Sequence, residues 1–492
     1  MANDIRWLAL SIFLGFFALV TVLGFVASRW QAGGSGDQKS LDEWGLGGRR
    51  FGAWITWFLV GGDFYTAYTV IAVPALVYSV GAYGFFALPY TILVYPFIFV
   101  VMPKLWKAAQ ANGNVTAADY ALSRYNHKGL ELAVALTGII ATMPYIALQL
   151  IGMEVVLKAM GLTGEGPLIL AFLILAIYTY SSGLRAPALI AFVKDVMIYI
   201  VVIAAVVAIP MQLGGYAAVF QAASDAFAAK GGNTGVILPA GQMLPFATLA
   251  LGSAFAAFMY PHTMTGVLAS KSADVVKVNA IYLPAYTLLL GLIALLGFMA
   301  HAAGVVAENP SDVVPMLFNR IFPEWFAGFA FSAIAIGALV PAAVMSIGAS
   351  NLFTRNIWKP FVNPKLTHAG ETQVAKIISV VVKFGALFFI LVLPSKFAID
   401  LQLLGGVWIL QIMPSIVLGL FTRWVKPNAL FAGWAAGIAV GTYLAFVDGL
   451  KPVHGFSLGG ENFLIYTGLT ALALNLTITM IVSALSKQKV RA

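Results

Sequence analysis

Apolar runs of about 20 residues, each closed by Gly, Pro, Asn, Ser or Asp, recur along almost the whole of this chain. A helix needs a run of that length to cross the hydrocarbon core of a bilayer, and the closing residues are those that stop helices and make turns. The pattern predicts thirteen spans, at roughly 7–28, 51–78, 83–101, 130–157, 166–183, 187–213, 244–260, 279–301, 326–352, 373–394, 398–421, 429–449 and 461–485. Segment 215–240 is too polar to span and is expected on the surface, partly as a helix. The first run, Trp7–Ser28, is too long for the apolar part of a signal peptide; Asp4 and Arg6 stand where a basic region would, and no small-residue cleavage site follows.

Composition agrees with a polytopic membrane protein of the all-α class. Hydrophobic residues make up 61% of the 492 and charged residues 10%, against about 25% charged in soluble domains. The absence of cysteine excludes disulfides and thiolate metal sites. Orientation follows from the basic residues. With the N-terminus outside, 20 of the Lys and Arg fall inside and 6 outside, while Lys194 and Lys383 fall within spans. The expectation is therefore N-out and C-in, in a cell (inner) membrane. The net charge of +9 is then a signature of the inside-facing loops. It is not a nucleic-acid footprint, because no basic cluster interleaves with aromatics.

The second span is interrupted by "GGDFYTAYT", residues 61–69, in which two glycines precede an acid. Backbone groups in hydrocarbon must be satisfied within a helix, and a break is tolerated only where it is buried in protein or lines a cavity. Transporters place such discontinuous helices at the binding site, and an intramembrane acid such as Asp63 marks a functional site by default. The plainer alternative is a glycine kink that helps packing. In an inverted repeat the partner break lies five spans later. There "ATLALGSAF", residues 247–255, is expected to loosen at Gly252 and Ser253, and the span to end before Pro261.

Four stretches together resemble the solute:sodium symporter family: "GGDFYTAYTVIAVPALVYSVGA", "TAADYALSRYNHKGLELAV", "YTYSSGLRAPAL" and "PAAVMSIGASNLFTRNIW". The third usually carries Gly-Gly where this chain has Ser182-Gly183. The resemblance covers nearly the whole chain and implies a five-plus-five inverted repeat with broken first and sixth core helices. An extra helix and loop would occupy 1–50, core helices 1–5 would lie in 51–213, an extracytoplasmic loop in 214–243, core helices 6–10 in 244–421, and two further helices with a short tail in 422–492. The wording of the first stretch is most similar to the branch that imports short monocarboxylates such as lactate and pyruvate.

The resemblance also implies an ion site, and here the chain departs from the pattern. In sodium-coupled members the ion is held by carbonyls of the broken first helix and by a carbonyl and two hydroxyls of the eighth. The matching positions are Gly61, Phe64, Ala343 and Ser346, but the second hydroxyl is replaced by Ile347. A dehydrated hard cation needs oxygen ligands, which isoleucine lacks. An acid that many relatives carry on the fifth helix aligns with Ala191, and one turn on stands Lys194. Some proton-coupled transporters of the same fold set a lysine from the fifth helix near an empty sodium site. Lys194, with Asp63 nearby, would then serve H+ coupling as the fixed charge linking the first and eighth helices. The alternatives are Na+ coupling and a lysine whose long stem reaches the headgroups.

A small organic anion needs hydrogen-bond donors and an apolar pocket for its tail. Candidates are Tyr65, Thr66 and Thr69 on the first core helix, Tyr145 and Gln149 on one face of the third, Phe255 and Phe258 as lids on the sixth, and Trp408 and Gln411 on one face of the tenth. For each, the competing reading is ordinary packing. No pore ring, no G-x-x-x-x-G-K-[ST] loop and no H-x-x-x-H pairing of the five histidines supports a channel, a pump or an enzyme. The expectation is a symporter without a cofactor, its partners a small organic anion and membrane lipid. The alternatives are a sodium-coupled carrier of acetate, an amino acid or a vitamin, and a transporter-like sensor.

Overall fold

The computed structural model describes residues 4–29, 40–62, 65–392 and 398–486. Helix α1 covers Trp7–Val26 and the short α2 covers Leu41–Leu46. The interrupted span follows as two halves: α3, built from Ala53–Thr56 and a wider π turn Trp57–Gly61, and α4, built from a second π turn Tyr68–Ala72 and Val73–Val80. Next come α5 (Ala87–Asn112), α6 (Ala117–Tyr125), α7 (Lys128–Ala159), α8 (Gly166–Ser182) and α9 (Arg185–Gln212). The polar segment forms the surface helix α10 (Tyr216–Lys230), with Val219, Ala223 and Phe227 on its buried face. Then follow α11 (Met243–Ala257), α12 (Pro261–Ala269), α13 (Ala273–Ala302), α14 (Val313–Ile321), α15 (Glu324–Phe353), α16 (His368–Val392), α17 (Gln402–Phe421) and α18 (Pro427–Val447). An antiparallel hairpin, β1 (Val453–Leu458) with β2 (Glu461–Tyr466), leads into α19 (Thr467–Leu485).

Among the described residues, 10 helices are long and apolar enough to cross a membrane, and Tyr68–Val80 and Gly166–Ser182 are shorter apolar helices. The chain is a multi-pass membrane protein. Its centre is α15, flanked by α7, α9 and α1. Close approach rests on small residues, as is usual where lipid removes the hydrophobic drive between helices. A Cβ at Gly328 would meet the Ala9 carbonyl oxygen at 2.5 Å, and one at Gly348 would meet Pro261 at 2.9 Å. Helices α1, α18 and α19 keep most of their apolar surface outward.

Both expected interruptions exist, but the second is displaced. Helix α11 runs unbroken through Gly252 and Ser253 and stops at Ala257; the chain is non-helical around Phe258–Tyr260 and restarts at Pro261. Gly252 is a packing glycine, since a Cβ there would strike the ring of Tyr466 from β2. The restart is encoded by Pro261, which needs no N–H partner in the first turn.

Candidate functional site

Across the break between α3 and α4 a lysine bonds two backbone carbonyls, one of which, that of Gly62, also accepts from the Tyr65 N–H at 3.1 Å. Lys194, on α9, is 0% exposed. Its Nζ donates to the carbonyl of Gly62 and to that of Tyr65 at 3.2 Å, and lies 3.1 Å from Asp195 Oδ1. Asp195, also 0% exposed, accepts at Oδ2 from the Tyr286 hydroxyl of α13 at 2.6 Å. The stem does not reach headgroups; the amine is held inside the protein. The two carbonyls are each one residue beyond the expected Gly61 and Phe64. Asp63 and Phe64 themselves lie outside the described residues.

This arrangement explains the paired glycines. A Cβ at Gly62 would lie 2.8 Å from Lys194 Nζ, and one at Gly61 would collide with the Tyr286 ring. Tyr65 points to the same cluster: its hydroxyl donates to the Tyr286 carbonyl at 3.3 Å, and the two rings lie 4.6 Å apart. On α15, the Ser346 hydroxyl donates to the Ala343 carbonyl at 2.8 Å, both residues fully buried. Ile347 packs into an apolar cluster with Trp44, Leu59 and Leu268.

Gln149 and Thr66 organise the second half-helix. Gln149 Oε1 accepts from the Ala67 N–H at 2.9 Å and its Nε2 donates to the Tyr145 carbonyl at 3.2 Å. Thr66 Oγ1 accepts from the Tyr68 N–H at 3.0 Å. Both thus satisfy N–H groups that open α4. Thr69 is buried on α4.

A small cavity lies beside the second interruption, lined by Tyr90, Tyr145, Ser253, Ala257, Tyr260, His262, Thr263 and Gln402. Tyr145 is thereby joined to the first turn of α12, its ring 5.3 Å from that of His262 and 5.5 Å from that of Tyr260. The Tyr260 hydroxyl donates to the Gln402 carbonyl at 3.1 Å. The buried hydroxyl of Ser253 and Oε1 of Gln402 have no hydrogen-bond partner among the described residues. The walls therefore carry hydroxyls, an imidazole and an amide, and no lysine or arginine.

Three sequence candidates turn away from this cavity. Trp408 donates to Thr442 of α18 at 3.0 Å, and Gln411 bonds to Gly468 and Asn475 of α19. Phe255 packs on Phe97 of α5 at 6.4 Å between ring centres, while Phe258 is buried in the break itself. Conversely, Tyr90, Ser253, Tyr260, His262, Thr263 and Gln402 were not among the candidates. The one sequence signal for three of them, Tyr260, His262 and Thr263, is Pro261, which marks where the half-helix begins.

Helix α2 packs against the start of α9. Trp44 of α2 is buried, and its carbonyl accepts from the Leu184 N–H at 2.9 Å. Gly183 has φ +56 and would clash with that carbonyl if it had a Cβ, so glycine is required there. Ser182 has no such demand, and its hydroxyl donates to the Gly24 carbonyl at 2.6 Å. Nearby, Asn356 Nδ2 donates to Asp119 Oδ1 at 2.7 Å and to Glu131 Oε1 at 2.8 Å, while its Oδ1 accepts from Thr116 at 2.7 Å. Burial pushes the Asp119 carboxyl above the usual carboxylate range, against the opposing pull of Arg355 and the Val115 N–H.

The same architecture is found elsewhere. A structure of a Na+-coupled sialic acid symporter, in a substrate-bound outward-open state, superposes with a TM-score of 0.78 over 98% of both chains at 16% identity, which speaks for the fold alone. A Rhizobium johnstonii protein named "Monocarboxylate transport permease protein" is 64% identical over 494 residues, covering 100% of each chain. The uncharacterized symporter YodF of Bacillus subtilis is 34% identical over 482 residues, covering 95% of this chain and 91% of its own. The sequence model of the Sodium:solute symporter family matches residues 44–437, a stretch that includes both interruptions. These full-length matches join a shared architecture to a shared sequence pattern, and on them this chain belongs to the sodium:solute symporter family, a family of transporters and not of enzymes.

Proposed function

We propose that this protein imports a short-chain monocarboxylate, such as lactate or pyruvate, together with a proton across the cell (inner) membrane by alternating access. The observation that carries the reading is the Lys194 ammonium seated on the Gly62 and Tyr65 carbonyls of the interrupted helix. A fixed cation lies where a broken helix offers carbonyls to one, so a mobile sodium is not needed to link α3 and α4 to the scaffold. The relative named as a monocarboxylate permease supports the substrate class. The substrate would sit in the cavity between Tyr145, Ser253, His262 and Gln402, its carboxylate on these donors.

The same reading takes the spans as thirteen: the 10 long helices, the interrupted α3–α4, α8 and α16. They would run N-out and C-in, in two repeats at 51–213 and 244–421, with the α6 end facing the cytoplasm. The bundle of α3–α4, α5, α11–α12 and α13 would rock against the rest around the cavity, proton and substrate favouring one occluded state.

A second reading, sodium coupling, is supported by the Ala343 carbonyl and Ser346 hydroxyl, which remain oxygen ligands on α15. Counterflow of labelled lactate in proteoliposomes tests carrier function and substrate class together. Exchange competed by pyruvate and acetate, and not by proline, is expected. Absence of exchange, or preference for an amino acid, would contradict the assignment.

A further inference from the structure

We propose that the coupling proton is loaded on Asp195 rather than on Lys194, and that Tyr286 is the positioning residue that reports it to the interrupted helix. The inference rests on the proton-coupled reading above and specifies its site.

Lys194 Nζ faces three acceptors: the Gly62 carbonyl, the Tyr65 carbonyl and Asp195 Oδ1. An ammonium has three N–H donors, and a neutral amine would turn a lone pair on one of the acceptors. The group beside the amine with an open oxygen is the carboxylate: Asp195 Oδ2 already accepts from Tyr286, while Oδ1, apart from its ion pair with Nζ, has no hydrogen-bond partner among the described residues. Few other ionisable groups face the pair. Tyr65 comes from the interrupted helix, Tyr286 from α13, and Tyr199 from α9 itself, its ring 6.0 Å from Tyr65 and 6.3 Å from Tyr286. Tyr95 of α5 stands behind them, bonded to Thr287. Helices α1 and α8 carry no charged residue, α15 none beyond Glu324 at its start, and α10 packs at the other end of α9. Asp63 lies outside the described residues.

Charge balance then selects the translocating states. With Asp195 ionised, the pair sums to zero. One proton from the outer water makes the pair +1, and a bound monocarboxylate returns the sum to zero. The empty and the loaded site thus present the same charge at this pair, and each cycle moves one proton and one anion. Tyr286 has two acceptors within reach of its single hydrogen, Asp195 Oδ2 at 2.6 Å and the Trp57 carbonyl at 3.4 Å. An ionised Asp195 takes that hydrogen. A protonated Asp195 donates to the tyrosine oxygen instead, and the hydroxyl hydrogen turns to Trp57 on α3. Protonation on the scaffold helix α9 is thus read out on both α13 and the interrupted helix.

The test compares labelled-lactate uptake and counterflow by the wild-type protein and by Asp195→Asn in proteoliposomes. The asparagine mimics the protonated state permanently, so the loaded site stays neutral while the empty one keeps a charge. Accumulation under an inward proton gradient should fall at least tenfold, while counterflow persists within about threefold and loses its pH dependence. An Asp195→Asn protein that accumulates lactate with the wild-type pH profile would overturn the proposal while leaving proton coupling intact. Wild-type uptake that ignores the pH gradient would remove the underlying reading as well. If the asparagine variant does not fold, Tyr286→Phe serves. Removing a donor to the carboxylate should move the midpoint of the pH profile up by about one unit without changing KM, and an unmoved profile would refute the assignment.

Discussion

Gly62 and Lys194 are in direct contact: the lysine ammonium bonds the Gly62 carbonyl and stands 2.8 Å from where a Cβ would be. A side chain there must displace either the amine or the helix break. Gly62→Ala is therefore expected to cut driven lactate uptake at least tenfold with normal membrane insertion. Quantified uptake against expression level in membranes checks it, and wild-type uptake would show that the contact is dispensable.

Removing the amine strands a buried carboxylate. Breaking a buried ion pair from one side costs roughly 3–5 kcal/mol, whereas replacing both partners by apolar groups is often neutral. Lys194→Met should lower the melting temperature of the purified protein sharply, and the double change Lys194→Met with Asp195→Leu should recover much of the loss while remaining inactive in driven uptake. Thermal melts in detergent distinguish the two.

Tyr145 lines the cavity, whereas Trp408 and Gln411 face α18 and α19. Losing one hydrogen bond to a charged ligand costs about 1.5–3 kcal/mol, so Tyr145→Phe should raise KM for lactate by about tenfold or more. Trp408→Phe, on the face toward Thr442, should leave KM within about twofold. Initial-rate kinetics in proteoliposomes decide both, and an unchanged KM for Tyr145→Phe would take it out of the site.

At the α6 end one amide ties two acids together. Asn356→Ala leaves the Asp119 and Glu131 carboxylates without a shared donor, a loss of about 1–3 kcal/mol for buried acceptors. The balance should shift toward opening at the α6 end. The chain contains no cysteine, so a Leu352→Cys reporter in the adjoining cavity gives a clean signal. Its labelling by a thiol reagent should speed up several-fold in the Asn356→Ala background.

Much of this was legible in the sequence because lipid imposes strict rules on it. The run lengths marked the 10 long apolar helices of the described residues, and the Gly61-Gly62 pair located the first interruption, since glycine and an acid have few other reasons to stand there. The second interruption was misplaced because Gly252 marks a close contact with Tyr466, a residue of a hairpin more than 200 positions away. Helix periodicity put Gln411 and Trp408 on one face but could not say that this face meets α18 and α19. Gln149 was found by its polarity; its task of capping α4 depends on a fold that places Ala67 beside it. Tyr286 and Asp195 went unassigned for the same reason: an aromatic on α13 and an acid next to a lysine acquire meaning only once three helices converge.

The central claim is the proposed one, that the Lys194 amine on the carbonyls of the interrupted helix makes sodium unnecessary for driven uptake. Labelled-lactate uptake into sodium-free proteoliposomes under an imposed inward proton gradient tests it most directly. Accumulation above equilibrium without sodium, abolished when the pH gradient is collapsed, is the predicted result. Accumulation that requires an inward sodium gradient and is indifferent to pH would contradict it.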